Sequence, residues 1–237
     1  MSAAGLSDYE IARRLGMSRV TVLNWRKRKP NFSRRRHVDL ASFPRDEPGY
    51  AYLLGIYLGD GCLTALPRGS LRLGITLDRI YPAVIEEVRQ AILAVDPGTH
   101  VCTREVPGAV ALFASSPLWE AAFPQHGKGR KHERRIELAA WQASITGRYP
   151  EMLLRGLVHS DGARCINRFK TKLPSGRVAE YAYPRYFFSN LSRDIRRIFC
   201  DHCDLLGIRW TQSNHRNISI AHRRSVALLD EFIGPKS

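Results

Sequence analysis

No segment of the chain stays apolar for the roughly 18–20 consecutive residues that a membrane-spanning helix needs. The opening MSAAGLSDYE lacks the basic stretch and following apolar run of a secretory leader. Cysteine is sparse and odd in number, five in 237 residues, which argues against a closed disulfide framework and fits a reducing compartment. Together these absences lead us to expect a cytoplasmic, nucleoid-associated protein. No Ser-His-Asp grouping and no Gly-rich phosphate loop stands out, so the corresponding hydrolase and nucleotide-binding classes have no marker here. Acids are the last scarcity: Asp and Glu total 22 against 37 Lys and Arg, a net charge of +15. That excess acts at long range on polyanions and points to nucleic acid as the partner.

What is present begins with residues 6–28, LSDYEIARRLGMSRVTVLNWRKR. Ser7 and Glu10 have the spacing of a capping box, and Ile11, Ala12 and Leu15 follow at helical intervals. Gly16 stops that helix, and Ser18 can cap a second one carrying Val20, Val22, Leu23 and Trp25. Helix, Gly-containing turn and helix in this order resemble the helix-turn-helix, whose second helix enters the major groove. The residues such a helix would offer to DNA are Arg19, Thr21, Asn24, Arg26 and Arg28. The acid-free run RKRKPNFSRRR after it reads as a basic linker.

The most informative feature is an internal duplication. YLLGIYLGDG (52–61) and LLRGLVHSDG (153–162) align with Gly55 on Gly156, Asp60 on Asp161 and Gly61 on Gly162. Each follows a proline, Pro48 or Pro150, and ends in glycine, as a helix starts and stops. Small residues four apart, Gly55 with Gly59 and Gly156 with Ser160, share a helix face and permit close approach of a second backbone. Two such helices packed together would bring Asp60 and Asp161 side by side at their C-terminal ends. There each carboxylate repels the other and the helix dipole, an arrangement most simply explained by a bound cation, and crowded oxygen ligands suit Mg²⁺.

These segments resemble the paired signature helices of the LAGLIDADG homing endonucleases, in the form that carries both motifs on one chain. The resemblance implies an α+β fold: a pseudo-twofold pair of αββαββα repeats forming a DNA-binding saddle, preceded here by a small all-α helix-turn-helix. Expected boundaries are 1–29 for the helical domain, 30–47 for the linker, 48–147 for the first repeat and 148–237 for the second. Strands are expected at 71–77, 100–106, 109–115, 165–173, 183–191, 208–213 and 217–221, with helices at 81–95, from 117 to 123, at 193–206 and at 225–233. The pattern departs from the family at Leu58 and His159, where many members carry a further acid, and at Arg155, which is expected to face outward.

Carried onto this sequence, the family's chemistry makes Asp60 and Asp161 ligands of Mg²⁺ or Mn²⁺, with the backbone carbonyls of Gly59 and Ser160 as additional donors. Lys128 and Lys131 in the first half and Lys236 in the second are candidates for the basic residue beside each centre. A monomer would then cut both strands of double-stranded DNA, leaving 5′-phosphate and 3′-hydroxyl ends. Strand faces would supply the contacts: Arg72, Thr76 and Arg104 in the first repeat, and Arg168, Lys170, Lys172, Arg185, Arg209, Thr211 and Arg216 in the second. Cys200 and Cys203 have metal-like spacing but sit in a helical pattern, which favours packing over zinc. A non-catalytic transcriptional regulator on the same scaffold stays open beside the endonuclease, as does an RNA-binding maturase.

Overall fold

A computed structural model describes residues 7–27, 43–67, 70–234 and 236, with the side chains of 24–27 left out. The chain divides into two compact units, Met1–Val38 and Asp39–Ser237. In the first, Ser7 caps α1 (Asp8–Leu15): its Oγ accepts from the Glu10 amide, while the Glu10 carboxylate accepts from the Ser7 amide at 2.9 Å. Gly16, at φ 64°, turns the chain into α2 (Arg19–Lys27). Ala12 and Val22 are buried, one from each helix.

The second unit runs helix, hairpin, helix, hairpin, helix twice. Its first half is α3 (Glu47–Asp60), β1 (Gly61–Ala65), β2 (Leu71–Asp78), α4 (Pro82–Val95), β3 (Val101–Val106), β4 (Ala109–Ser116) and α5 (Trp119–Ala122). A 3-10 turn at Lys131–Glu133 and α6 (Ala140–Arg148) lead to the second half. That half is α7 (Pro150–Asp161), β5 (Gly162–Lys172), β6 (Val178–Ser189), α8 (Arg193–Leu205), β7 (Thr211–Gln212), β8 (Asn217–Ile220) and α9 (Arg223–Ile233). The antiparallel sheets have matching orders, β1-β2-β4-β3 and β5-β6-β8-β7.

Helix α3 is apolar on every side, and every residue from Tyr50 to Leu58 is buried. A helix of that kind has no solvent face and becomes the centre of a core. It lies against α7, and the glycines explain how closely. A methyl group added at Gly55 would sit 2.5 Å from the Leu153 carbonyl oxygen, and one at Gly156 would sit 2.2 Å from that of Tyr52. The two backbones therefore touch, which no larger side chain permits.

Each sheet turns one face to this core. In β2, Leu73, Ile75 and Leu77 are buried while Arg72 and Thr76 are exposed, the alternation of a half-buried strand. In β6, Tyr186 and Phe188 face inward, and Phe188 stacks on Phe199 of α8 at 4.3 Å. Cys200 and Cys203, on the same helix, are buried, and His202 donates through Nδ1 to the Ile198 carbonyl at 2.7 Å.

Several boundaries differ from expectation. Strands β1 and β5 begin directly at the glycine ending each motif helix, so β5 starts at Gly162 rather than 165. Strand β6 begins at Val178 rather than 183, because the hairpin pairs from Gly162↔Phe188 out to Lys172↔Val178. Arg155 does not face outward. Its guanidinium forms a fork on Glu87 at 2.6 and 2.8 Å and donates to the carbonyls of Phe232 and Ile233. Residues 30–42 of the expected linker lie outside the described residues.

Candidate nucleic-acid cleavage site

Asp60 is the last residue of α3 and Asp161 the last of α7, so the contact of the two helices carries both carboxyl groups to one end of the pair. The juxtaposition is close: a methyl at Gly59 would lie 3.0 Å from Asp161 Oδ2. Although Asp60 keeps solvent access, the protein around its carboxyl, and then the charge of Asp161, push it up to about 6. Burial also raises Asp161, opposed first by Asn190, whose Nδ2 donates to Asp161 Oδ2 at 2.6 Å. Both acids are thus held in surroundings that disfavour their charge.

Two ammonium groups stand against them. Lys131 Nζ donates to the carbonyls of Tyr57, Leu58 (3.1 Å) and Gly59 (3.2 Å) in the last turn of α3, where carbonyls run out of intrahelical partners, although that of Tyr57 also accepts from the Gly61 amide. It also lies over the Tyr57 ring, 4.7 Å from its centre. Burial lowers its pKa to about 8, against the pull of Asp161 and Asp60. Lys236 Nζ donates to the Gly162 carbonyl at 2.9 Å and lies 5.3 Å from the centre of the Tyr81 ring. Burial lowers its pKa as well, and Asp60 and Asp161 oppose that shift. Lys128 is exposed and does not line the adjoining cavity, although its neighbours Gly127 and Gly129 do.

That cavity, about 520 Å³, opens beside Asp161 between the 126–134 loop and the turn after β6, with Arg130, Lys131 and Arg134 on its wall. The Arg134 guanidinium keeps two buried nitrogens, Nε and Nη1, without a hydrogen-bond partner. Asn190 and Arg134 escaped the sequence reading. An Asn just after a strand reads as a turn residue, and Arg134 sits in a basic run where no position stands out.

Behind the site, His159 occupies its off-consensus position as a buried neutral ring. Its Nδ1 is 3.0 Å from the Tyr52 hydroxyl, and its Nε2 is 3.0 Å from the Ile233 carbonyl. Burial depresses its pKa to about 4. With Arg155 it binds the end of α9, the helix that leads to Lys236.

Among the described residues no three His, Cys, Asp or Glu side chains converge. The donor set at the helix tips is two carboxylates plus backbone oxygens, of which the Gly59 carbonyl already accepts from Lys131, while the Ser160 side-chain hydroxyl is turned back onto the carbonyls of Gly156 and Leu157. A hard, all-oxygen set with one or two carboxylates and room for water suits Mg²⁺. The crowding that pushes Asp60 toward its neutral form is what such a cation would relieve.

Strand register sorts the basic candidates. Arg72, Thr76 and Arg104 are exposed on the face of the first sheet turned away from the core. Arg72 and Arg104 flank the Phe113 ring at 5.0 and 5.9 Å. In the second sheet Arg185 and Thr211 share the corresponding open face through Phe187 and Ser219. Arg168, Lys170 and Lys172 alternate onto the opposite face, where Lys170 pairs with Glu180. Arg209 and Arg216 are exposed at strand ends. In the N-terminal unit Arg19 is exposed, and the Thr21 hydroxyl lies 2.8 Å from that of Ser18. The side chains of Asn24 and Arg26, and all of Arg28, lie outside the described residues.

No family model matches the sequence, and no curated protein matches it. Among solved structures the chain is similar to the homing endonuclease I-DmoI in complex with DNA and Ca, at 17% identity over 80% of this chain and 91% of that one, with a TM-score of 0.51. It is similar to a single-residue variant of I-DmoI in complex with its target DNA in the presence of 2 mM Mg, at 15% identity over 80% and 97% of the two chains, with a TM-score of 0.51. Mesophilic variants of I-DmoI match at 16% identity over 80% and 97%, with a TM-score of 0.50.

Proposed function

We propose, from the LAGLIDADG homing-endonuclease fold that this chain carries, that it is a site-specific, divalent-metal-dependent endonuclease acting on double-stranded DNA. One observation carries the reading: Asp60 and Asp161 crown two helices whose backbones touch at Gly55 and Gly156, and both carboxyl groups are shifted toward protonation. An acid pair that costs stability is retained where it does chemistry.

Asp60 and Asp161 would hold the cation, with the carbonyls of Gly59 and Ser160 within the same cluster. When bound, that cation supplies Lewis-acid stabilisation of the phosphoryl oxygens and a more acidic water. The protein's own groups do the rest. Lys131 and Lys236 place positive charge where the attacked phosphate becomes more negative. Lys131, with a pKa near 8, can also exchange a proton close to neutrality. Asn190 fixes the rotamer of Asp161. The open sheet faces would lie on the duplex, and Arg72, Arg104 and Arg185 would contact phosphate or guanine edges.

The test is cleavage of a plasmid carrying a binding site selected from random DNA, with Mg²⁺ or Mn²⁺. Asp60→Asn is expected to reduce double-strand cleavage at least about 100-fold while leaving binding in place. Cleavage that ignores this substitution removes the proposed mechanism. The helical pair α1–α2 favours a second reading, a non-catalytic DNA-binding regulator. Tight promoter binding without cleavage under any divalent metal would establish that alternative.

A further inference from the structure

The hairpin β5–β6 outgrows its sheet. Strand β6 pairs with β8 only over Tyr186–Ser189, yet it continues pairing with β5 out to Lys172↔Val178. The outer part is a two-stranded ribbon roughly 20–25 Å long, closed by a turn in which Gly176 takes φ 81°.

Its two faces differ in chemistry. The face continuous with the core carries charge, Lys170 against Glu180. The open face carries an aromatic ladder. Phe169 stacks on its cross-strand partner Tyr181 at 5.2 Å and meets Tyr183 edge-on at 5.8 Å. Asn167 and Arg185 both reach the Tyr183 hydroxyl, at 3.0 and 3.5 Å. Phe169 and Tyr181 are 41% and 44% exposed, large for aromatic side chains already paired with each other. The matching face of the β1–β2 hairpin has no aromatic ring: it presents Cys62, Thr64, Arg72 and Gly74.

We propose that the Phe169–Tyr181 pair is a subsite for thymine C5-methyl groups, which would give the recognised DNA sequence a thymine preference in one half only. This rests on the open faces being the DNA interface, as proposed above. A two-stranded ribbon fits the major groove, and there thymine's methyl is the one apolar group on a base edge. Arg185 at the base of the ladder, on a chain of net charge +15, supplies the attraction to the phosphates alongside. A ladder at one hairpin and none at its counterpart makes the preference lopsided.

The experiment selects bound duplexes from random DNA, then rebuilds the best sequence with deoxyuridine for thymine in one half at a time. That change removes only methyl groups. Full-length protein is expected to lose about fourfold in affinity for each contacted methyl in one half, and nothing in the other. Phe169→Ala and Tyr181→Ala should bind thymine and uracil duplexes alike, with the uracil affinity of the native protein kept. Equal binding of both duplexes by the native protein overturns the inference, as do equal losses in both halves or a selected site without thymine in either half. Failure to select any duplex would instead defeat the DNA-binding reading, and the subsite with it.

Discussion

Asp60 titrates in the direction that harms the fold. Its carboxyl is held at about 6 against an ordinary 3.8, so ionisation is harder in the folded chain than in the unfolded one. The metal-free protein is therefore favoured by this group below about pH 4. The advantage disappears as pH rises to about 6 and stays lost above it. Asp60→Asn lifts the penalty, so in EDTA its melting temperature should exceed that of the native protein above pH 6 and converge with it near pH 4. A variant that melts lower at pH 7.5 would contradict the penalty that burial and then the Asp161 charge place on ionised Asp60. His159 works in the opposite sense: with a pKa near 4 against 6.5, it adds stability above pH 6.5 that is lost as pH falls toward 4. Only the difference between variant and native curves therefore isolates Asp60. At this scale the two aspartates and Lys131 were legible in the sequence, because duplication and a basic loop mark them. Asn190 and Arg155 were not, because their partners lie 29 and 68 residues away along the chain.

Between elements, the α3–α7 seam is the least forgiving place in the molecule. Gly55→Ala and Gly156→Ala would each drive a methyl into backbone atoms of the facing helix, which cannot rotate aside. We expect each to cost about 3 kcal/mol or more, read from chemical denaturation midpoints. Gly147, in α6, has nothing within 4 Å of an added methyl. There alanine should be neutral or stabilise by about 0.5–1 kcal/mol. If the three substitutions behave alike, the helices do not touch as described. The seam was readable from the four-residue spacing of small side chains. Strand β1 was harder to place, since it follows its helix without a loop. The 3-10 turn and α6 were also missed. Buried Gln142 and Thr146 give α6 a core face with polar residues, which hides its periodicity.

For the whole molecule, charge sets how DNA would be held. A net of +15, with Arg72, Arg104 and Arg185 on the open sheet faces, should neutralise several phosphates and release their counterions. With six to ten such contacts, raising salt from about 50 to 200 mM should weaken binding by roughly 10³–10⁵, measurable by fluorescence anisotropy. Affinity that ignores salt would argue against the sheets as the interface. The topology of this unit was predictable because it is used twice. The split of basic residues between two sheet faces was not, because alternation cannot be counted until a strand's true start is known. Arg168, Lys170 and Lys172 show this: the extension of β5 back to Gly162 fixes them opposite Arg185.

The two halves are alike in topology but not in how firmly they grip their acids. Asn190 tethers Asp161 at 2.6 Å, while among the described residues the Asp60 carboxyl has no such hydrogen bond. Twin centres so unequally tuned should not fire together. Supercoiled plasmid should pass through a relaxed, singly cut circle before it becomes linear, with one strand consistently cut first. Asn190→Ala should shorten the lifetime of that circle or reverse the order of cutting.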